Sequence, residues 1–149
     1  MKKFVAIVLT VVSVCALCIG LTACNGGEVY EGGYSYENYG HTYGQKVKVT
    51  VADGKITKVE LVASDWVEVS DANPDYGWTE EMIANWNDNK ADYLKSFEGK
   101  TVEEVKAMTV DRNDIGEPTE VTGIEVVTGA TQSAGRVLLA VQDALKDVK

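Results

Sequence analysis

The sequence predicts a single α+β domain in which helices pack on a largely antiparallel sheet. Segments with strand character come first and helical patterns follow, which is the order of α+β proteins. An Asp53-Gly54 turn between two β-rich segments predicts a hairpin and excludes a purely parallel sheet. With 149 residues, 45% hydrophobic and 25% charged, the chain has the composition of a globular protein and room for one core.

The first half of the chain has strand character. Residues 28–44 are rich in Gly and Tyr and predict a strand followed by a loop. Strict alternation over 46–51, the Asp-Gly turn and the β-rich segment 56–63 predict the hairpin. Residues 64–78 contain Asn, Asp, Pro and Gly without periodicity and therefore predict a loop.

Two helices are predicted next. The first begins after Trp78 with Thr79 as its cap, and Gly99 stops it. Thr101-Val102-Glu103-Glu104 is a capping box. The Thr101 hydroxyl can accept from the backbone N–H of Glu104, and the Glu104 carboxylate can accept from the backbone N–H of Thr101. This box predicts a short second helix.

The last third predicts a turn, a strand and a helix. Residues 111–119 are turn-like, and residues 121–127 have β-branched strand character. Apolar side chains at helical spacing from Val137 to Val148 predict an amphipathic helix that buries one face.

The N-terminal segment predicts export. Lys2 and Lys3 precede an almost unbroken apolar run over 4–23, which is the order of a signal peptide. A membrane-spanning anchor is the alternative, because the run is near the length that crosses a bilayer. The predicted organisation is a signal peptide over 1–23, a short tether over 24–29 and one domain over 30–149.

The end of that run favours a lipid anchor. Leu21-Thr22-Ala23-Cys24 resembles the lipobox of bacterial lipoproteins. The resemblance implies cleavage after Ala23, a diacylglycerol on the sulfur of Cys24 and a location on the extracytoplasmic face of the cell membrane. Two acyl chains are enough for stable attachment, whereas one is marginal.

Charge and cysteine content exclude several classes of function. The net charge is −9, and removal of residues 1–23 takes away two lysines and no acid, which leaves 23 acidic and 12 basic residues and a net charge of −11. Nucleic acid is excluded as a partner because phosphate binding needs clustered Lys and Arg. Cys15 and Cys18 leave with the signal, so neither a disulfide nor a cysteine metal site is predicted, and no other metal site is predicted.

One hexapeptide carries a specific functional signal. Thr128-Gly129-Ala130-Thr131-Gln132-Ser133 lies between the β-branched segment and the last helix. Gly and Ala let the backbone approach a bulky group, and a hydroxyl at a helix start places its substituent where N–H groups and the helix dipole favour an anion. The alternative is that a Thr or Ser hydroxyl simply caps the helix.

The hexapeptide resembles the flavinylation site of the FMN-binding domain family, whose pattern is Asp, two further residues and Ser/Thr-Gly-Ala-Thr, with FMN attached to the final Thr. The resemblance implies that Thr131 carries FMN through a phosphoester and that Thr128, Gly129 and Ala130 complete the signature. Glu125 stands where the family has Asp, which keeps the charge but adds a methylene. Ser133, two residues after the acceptor, is a further candidate for cofactor binding.

The resemblance covers most of the chain after the signal. The family commonly begins with a Tyr/Gly segment and an Asp-Gly-Lys-Ile hairpin, as Tyr43-Gly44 and residues 53–56 do here. It implies an electron carrier and does not imply a catalytic activity of its own. The aromatic side chains that could stack on the flavin are Trp66, Tyr76, Trp78 and the Tyr30 to Tyr43 cluster, although packing is the more common role of large aromatics on a small sheet.

The predicted function is that of a membrane-anchored, extracytoplasmic electron carrier with covalent FMN. Its partners would be the membrane through the lipid anchor, a flavin transferase and a membrane redox partner such as a quinone-linked dehydrogenase. The alternative is a surface lipoprotein that shares the fold, binds a ligand or a partner and carries no flavin. Bound flavin in the purified protein discriminates between the two.

Overall fold

A computed structural model describes residues 26–68 and 79–149 of the chain. The helices and strands, in chain order, are β1 (Glu28–Asn38), β2 (His41–Ala52), β3 (Lys55–Val62), α1 (Glu80–Lys95), α2 (Val102–Lys106), β4 (Thr109–Arg112), β5 (Pro118–Thr122) and α3 (Thr131–Leu145). The first three strands form one antiparallel sheet in the order β1-β2-β3, and β4 and β5 form a second, two-stranded sheet. The predicted α+β class with a largely antiparallel sheet is confirmed.

Two hairpins build the larger sheet. The predicted turn between β2 and β3 is confirmed, with φ of 52° at Asp53 and 73° at Gly54, as a type I′ turn requires. The strand predicted within 28–44 is confirmed, since β1 covers Glu28–Asn38, but the loop predicted after it is wrong. Tyr39 and Gly40 form a second tight turn with φ of 48° and 75°, and β2 already begins at His41. Apart from these two turn residues, the Tyr and Gly residues of the segment lie in strands, where aromatic side chains suit a pleated, half-buried surface.

The first two helices begin where the sequence predicts. Thr79 is the N-cap of α1, and its Oγ1 accepts from the backbone N of Met82 at 3.2 Å. The capping box of α2 is complete, since Thr101 Oγ1 accepts from Glu104 N at 3.1 Å and Glu104 Oε2 accepts from Thr101 N at 2.7 Å. These backbone hydrogen bonds hold the pKa of the Glu104 carboxyl below its ordinary value.

The segment before the last helix differs from its prediction. The predicted turn over 111–119 is confirmed only for 113–117, and the predicted strand over 121–127 only for Val121 and Thr122, because β4 and β5 pair as a hairpin whose second strand ends at Thr122. Asn113 closes the hairpin turn, since its Oδ1 accepts from the backbone N of Glu117 at 2.9 Å. Gly123, with φ of 95°, ends β5 by turning the chain out of the extended conformation.

Helix α3 lies between the two sheets and forms the centre of the core. On one side, Gly32 of β1 lets the backbone of α3 approach, because a Cβ there would collide with the carbonyl O of Ala140 and the backbone N of Ala144. On the opposite side, a Cβ on Gly135 would collide with the ring of Pro118. Helix α3 is therefore held from both sides, by Pro118 near its start and by β1 in its C-terminal half.

Aromatic side chains attach α1 to α3. Trp86, Tyr93 and Phe97 are buried, with ring centroids 6.0 Å apart in the first pair and 5.4 Å apart in the second. The hydroxyl of Tyr93 donates to the carbonyl O of Ala134 at 2.9 Å, and burial raises the pKa of Tyr93. The contact brings α1 alongside the first turns of α3.

The carboxylate of Asp143 ties the end of α3 to β1 and predicts a pH-dependent stability. Its Oδ2 accepts from Gly33 N at 3.1 Å, and its Oδ1 accepts from Lys146 Nζ at 3.0 Å. Burial raises the pKa of Asp143, but these two donors outweigh burial and hold the pKa below its ordinary value. A lowered pKa in the folded state stabilises the fold above the unfolded pKa of about 3.9, and this contribution is lost as the pH falls through the folded pKa.

We therefore expect Asp143→Asn to lower the free energy of unfolding at pH 7, because it removes the charge that accepts from Gly33 and Lys146. The loss should be only about 1 kcal/mol, since solvent screens a half-exposed carboxylate. The difference in free energy of unfolding between the variant and the parent should shrink as the pH falls below about 4. Urea denaturation of the variant and the parent at several pH values measures this difference. Asp147→Asn, which changes an exposed acid of the same chain end, is the control, and an equal pH-dependent deficit in that variant would contradict the assignment.

Candidate functional site

The hexapeptide forms the start of α3. Ala130 is the N-cap, with φ of −122° and ψ of 28°, and no side chain makes a cap hydrogen bond. The backbone N of Ala130 donates to the carbonyl O of Val127 at 3.0 Å, and Gly129 has a φ of 76°. This turn makes Thr131 the first helical residue, one position too late to cap. The alternative of a capping Thr or Ser hydroxyl is therefore wrong.

The N-terminus of α3 also differs in charge from those of the other helices. Both α1 and α2 have a threonine cap and two glutamates in the first turn. The first turn of α3 contains no acidic residue. The partial positive charge of this helix end is therefore not offset by a carboxylate of its own first turn, so the end favours an anion such as a phosphate.

A cavity of about 360 Å³ lies at this helix start, and we call it the Thr131 cavity. Its lining comes from α1, β5 and the hexapeptide: Met82, Thr119, Gly129, Ala130, Thr131, Gln132 and Ser133. Four of the predicted site residues, namely Gly129, Ala130, Thr131 and Ser133, are thus brought together. The volume lies within the range of small-molecule sites.

The other two predicted residues of the hexapeptide region face a neighbouring cavity. Glu125 and Thr128 line a space of about 460 Å³ together with residues of α1, among them Asn85 and Asp92. The side-chain Nδ2 of Asn85 donates to the carbonyl O of Thr128 at 3.1 Å, which attaches the turn to α1. Glu125 and Thr128 are both exposed, so they are accessible to a macromolecule that recognises this turn.

Sequence reasoning missed three lining residues of the Thr131 cavity. Gln132 lies inside the hexapeptide, and its neighbours were the signal that could have identified it. Met82 and Thr119 had no such signal, because α1 and β5 reach the cavity only through the tertiary fold. Cys24, the predicted lipidation site, lies outside the described residues.

Three of the aromatic candidates for flavin contact, Tyr36, Tyr43 and Trp66, pack against other residues of the domain. Tyr36 and Tyr43 are buried with ring centroids 5.7 Å apart, and burial raises the pKa of Tyr36 to about 12. Trp66 lies against Gly33, and Lys46 Nζ lies 4.6 Å from the centroid of its ring. Within residues 26–68 and 79–149, no aromatic side chain lines the Thr131 cavity. Tyr76 and Trp78 lie outside the described residues.

Neither a membrane-spanning helix nor a metal site is found in the part of the chain that the structure describes. Among the described residues, no helix combines the length and hydrophobicity needed to cross a membrane. In the same part of the chain, no group of three or more His, Cys, Asp or Glu side chains could hold a metal ion.

Comparison with known proteins identifies one family. The family described as FMN-binding domain matches residues 40–146, which include β2, the hexapeptide and all of α3. No curated protein and no solved structure matches the chain.

Proposed function

The chain belongs to the FMN-binding domain family, and from this we propose that it is a membrane-anchored electron carrier whose FMN is joined to Thr131 by a phosphoester. The observation that carries the proposal is the position of Thr131. It is the first residue of a helix without a side-chain cap, and it lines a cavity large enough for a small ligand.

The residues at the α3 start fit a phosphate ester. The Oγ1 of Thr131 would supply the ester oxygen, and the backbone of the first helical turn would supply the N–H groups and the positive dipole end that favour the phosphate. Gly129 and Ala130 leave the backbone accessible beside it, because neither has a side chain larger than a methyl group. Met82 of α1 supplies an apolar side chain to the lining of the Thr131 cavity.

Attachment needs a second protein. The bond from Thr131 Oγ1 to phosphorus forms as the hydroxyl loses its proton and a leaving group departs from an activated flavin nucleotide. We assign this step to a flavin transferase. Glu125 and Thr128 lie exposed beside the acceptor and form the surface that such an enzyme would recognise.

The role that we propose for the protein is to fix and orient a redox group and not to convert a substrate. Bound FMN would supply reversible electron uptake and release. Thr128 and Gly129 are exposed, and Met82 is 36% exposed, so a redox partner could approach this end of α3 closely. Transfer to a protein partner needs such access, whereas a substrate-converting flavoenzyme encloses its reaction.

Anchoring and partners complete the proposal. Lipidation of Cys24 would hold the domain on the extracytoplasmic face of the cell membrane, and a net charge of −11 would favour basic surfaces on a partner such as a quinone-linked dehydrogenase. Covalent attachment suits that location, because a freely dissociating cofactor would be diluted away.

Production of the protein with and without a flavin transferase tests the proposal. We expect flavin fluorescence on the protein band of a denaturing gel only when the transferase is present, because denaturation releases any flavin that is not covalently bound. A protein band without fluorescence under both conditions would contradict the proposal and favour a binding module without flavin.

Lipidation has its own test. We expect Cys24→Ala to leave an unprocessed chain or a released one, because the sulfur of Cys24 is the only thiol in the segment after the predicted cleavage site. Membrane fractionation and the apparent mass of the chain measure this. Cys18→Ala, which changes a thiol within the predicted signal peptide, is the matched control and should behave like the parent. Normal processing and membrane retention of Cys24→Ala would contradict lipidation.

A further inference from the structure

Two charged side chains lie immediately behind the wall of the Thr131 cavity. Gln132 and Ser133 both line the cavity. Gln132 Nε2 donates to Glu117 Oε1 at 2.7 Å, and Arg136 Nη2 donates to Ser133 Oγ at 3.5 Å. One negative and one positive charge are therefore each a single side chain away from the cavity.

Arg136 is a buried cation. Its side chain is only 2% exposed, and burial lowers its pKa, while the nearby Tyr36, Glu117, Glu68 and Tyr43 favour the charged form. A guanidinium keeps its proton in proteins at neutral pH, so the charge persists. Arg136 follows Thr131 by five residues on the same helix, a rise of about 7.5 Å along the axis.

Glu117, the second charged residue behind the wall of the Thr131 cavity, is held in a fixed position by its neighbours. Its Oε2 accepts from Asn113 Nδ2 at 2.8 Å, while its Oε1 accepts from Gln132. Tyr36, whose pKa burial raises to about 12, also forms a hydrogen bond with the Glu117 carboxylate. The carboxylate thus has a fixed position beside the residue that follows Thr131.

Such charges act on a redox group more strongly than charges on the surface. Partly buried groups are screened little by salt and sit in a lower effective dielectric than water. Uptake of a hydride equivalent, two electrons and one proton, adds one negative charge to a flavin. A fixed cation nearby stabilises the reduced form, and a fixed anion destabilises it.

We propose that Arg136 and Glu117 are positioning residues that hold Ser133 and Gln132 and set, with opposite signs, the reduction potential of the flavin carried on Thr131. The inference rests on the proposed function. Arg136 raises the reduction potential of the flavin and Glu117 lowers it, so the balance of the two opposing effects sets the potential.

The test is a redox titration of the flavin absorbance in protein loaded by a flavin transferase. We expect Arg136→Gln to lower the midpoint potential and Glu117→Gln to raise it. Each change should alter the ratio of oxidised to reduced flavin at a fixed potential at least tenfold, which is about 30 mV for a two-electron couple. Both shifts should persist at high salt.

Lys58→Gln is the control, because Lys58 is an exposed cation on β3 that pairs with Glu60 and should leave the potential unchanged. If the midpoint potential shifts in the same direction in both variants, the site has only become more accessible to solvent, and the proposal is overturned. No shift of the midpoint potential in either variant also overturns it. If Arg136→Gln does not fold, Glu117→Gln alone decides the matter, and no upward shift overturns it. A wild-type protein without flavin would instead contradict the proposed function.

Discussion

Gly32→Ala should destabilise the domain severely, by about 3 kcal/mol or more in the free energy of unfolding. Gly32 lies where β1 crosses α3, and the new methyl group would collide with backbone atoms of Ala140 and Ala144. Backbone atoms cannot rotate away as a side chain can, so the helix must move as a whole. Close-packed interiors transmit such a shift, and the start of α3 carries the proposed attachment site.

Gly33→Ala is the matched control for that result. The neighbouring glycine faces the other side of the sheet, where a Cβ would lie 3.1 Å from the ring of Trp66. A side chain can adjust by a few tenths of an ångström, so we expect a loss of less than about 1.5 kcal/mol. Thermal and urea denaturation of both variants give the comparison. Equal stability of the two would contradict the placement of α3 against β1.

Thr131→Val should abolish covalent flavin while it preserves the fold. Valine has nearly the shape of threonine but no hydroxyl, so the phosphoester has no oxygen through which to form. Thr131 is only half-buried, and we expect a change of less than about 1 kcal/mol in the free energy of unfolding. Fluorescence on a denaturing gel and circular dichroism of the co-expressed protein measure the two effects.

Changes at two positions before the acceptor make this prediction specific. Thr128→Ala removes a hydroxyl from the same turn and should reduce modification without abolishing it, because Thr128 faces the neighbouring cavity. Glu125→Asp restores the acid usual in the family and should leave modification intact or improve it. If Thr131→Val retains flavin while Thr128→Ala loses it, the acceptor is misassigned.

Local signals predicted much of the fold. Three features lie where the sequence indicates: the Asp53-Gly54 turn, the N-cap at Thr79 and the capping box at Thr101. Each depends on hydrogen bonds or dihedral angles within a few residues. The β4–β5 hairpin escaped prediction, since Asn113 closes an unusual turn and Gly123 ends the strand before the β-branched segment does.

The contiguous residues of the candidate site could be predicted from the sequence, whereas the residues around them could not. The tetrapeptide ending at Thr131 is contiguous, so sequence alone contains it. Met82, Glu117 and Arg136 are separated from one another along the chain and meet only because α1, the β4–β5 hairpin and α3 converge. The alternative of a hydroxyl cap was wrong because the turn at Gly129 makes Ala130 the N-cap and Thr131 the first helical residue.

The most direct test of the account is peptide mapping of the wild-type chain co-expressed with a flavin transferase. Trypsin cleaves after Arg112 and Arg136, which isolates residues 113–136 in one peptide. The account predicts that this peptide gains the mass of FMN less one water and that its fragment ions place the added mass on Thr131. An unmodified peptide, or added mass on Thr128 or Ser133 instead, would contradict it.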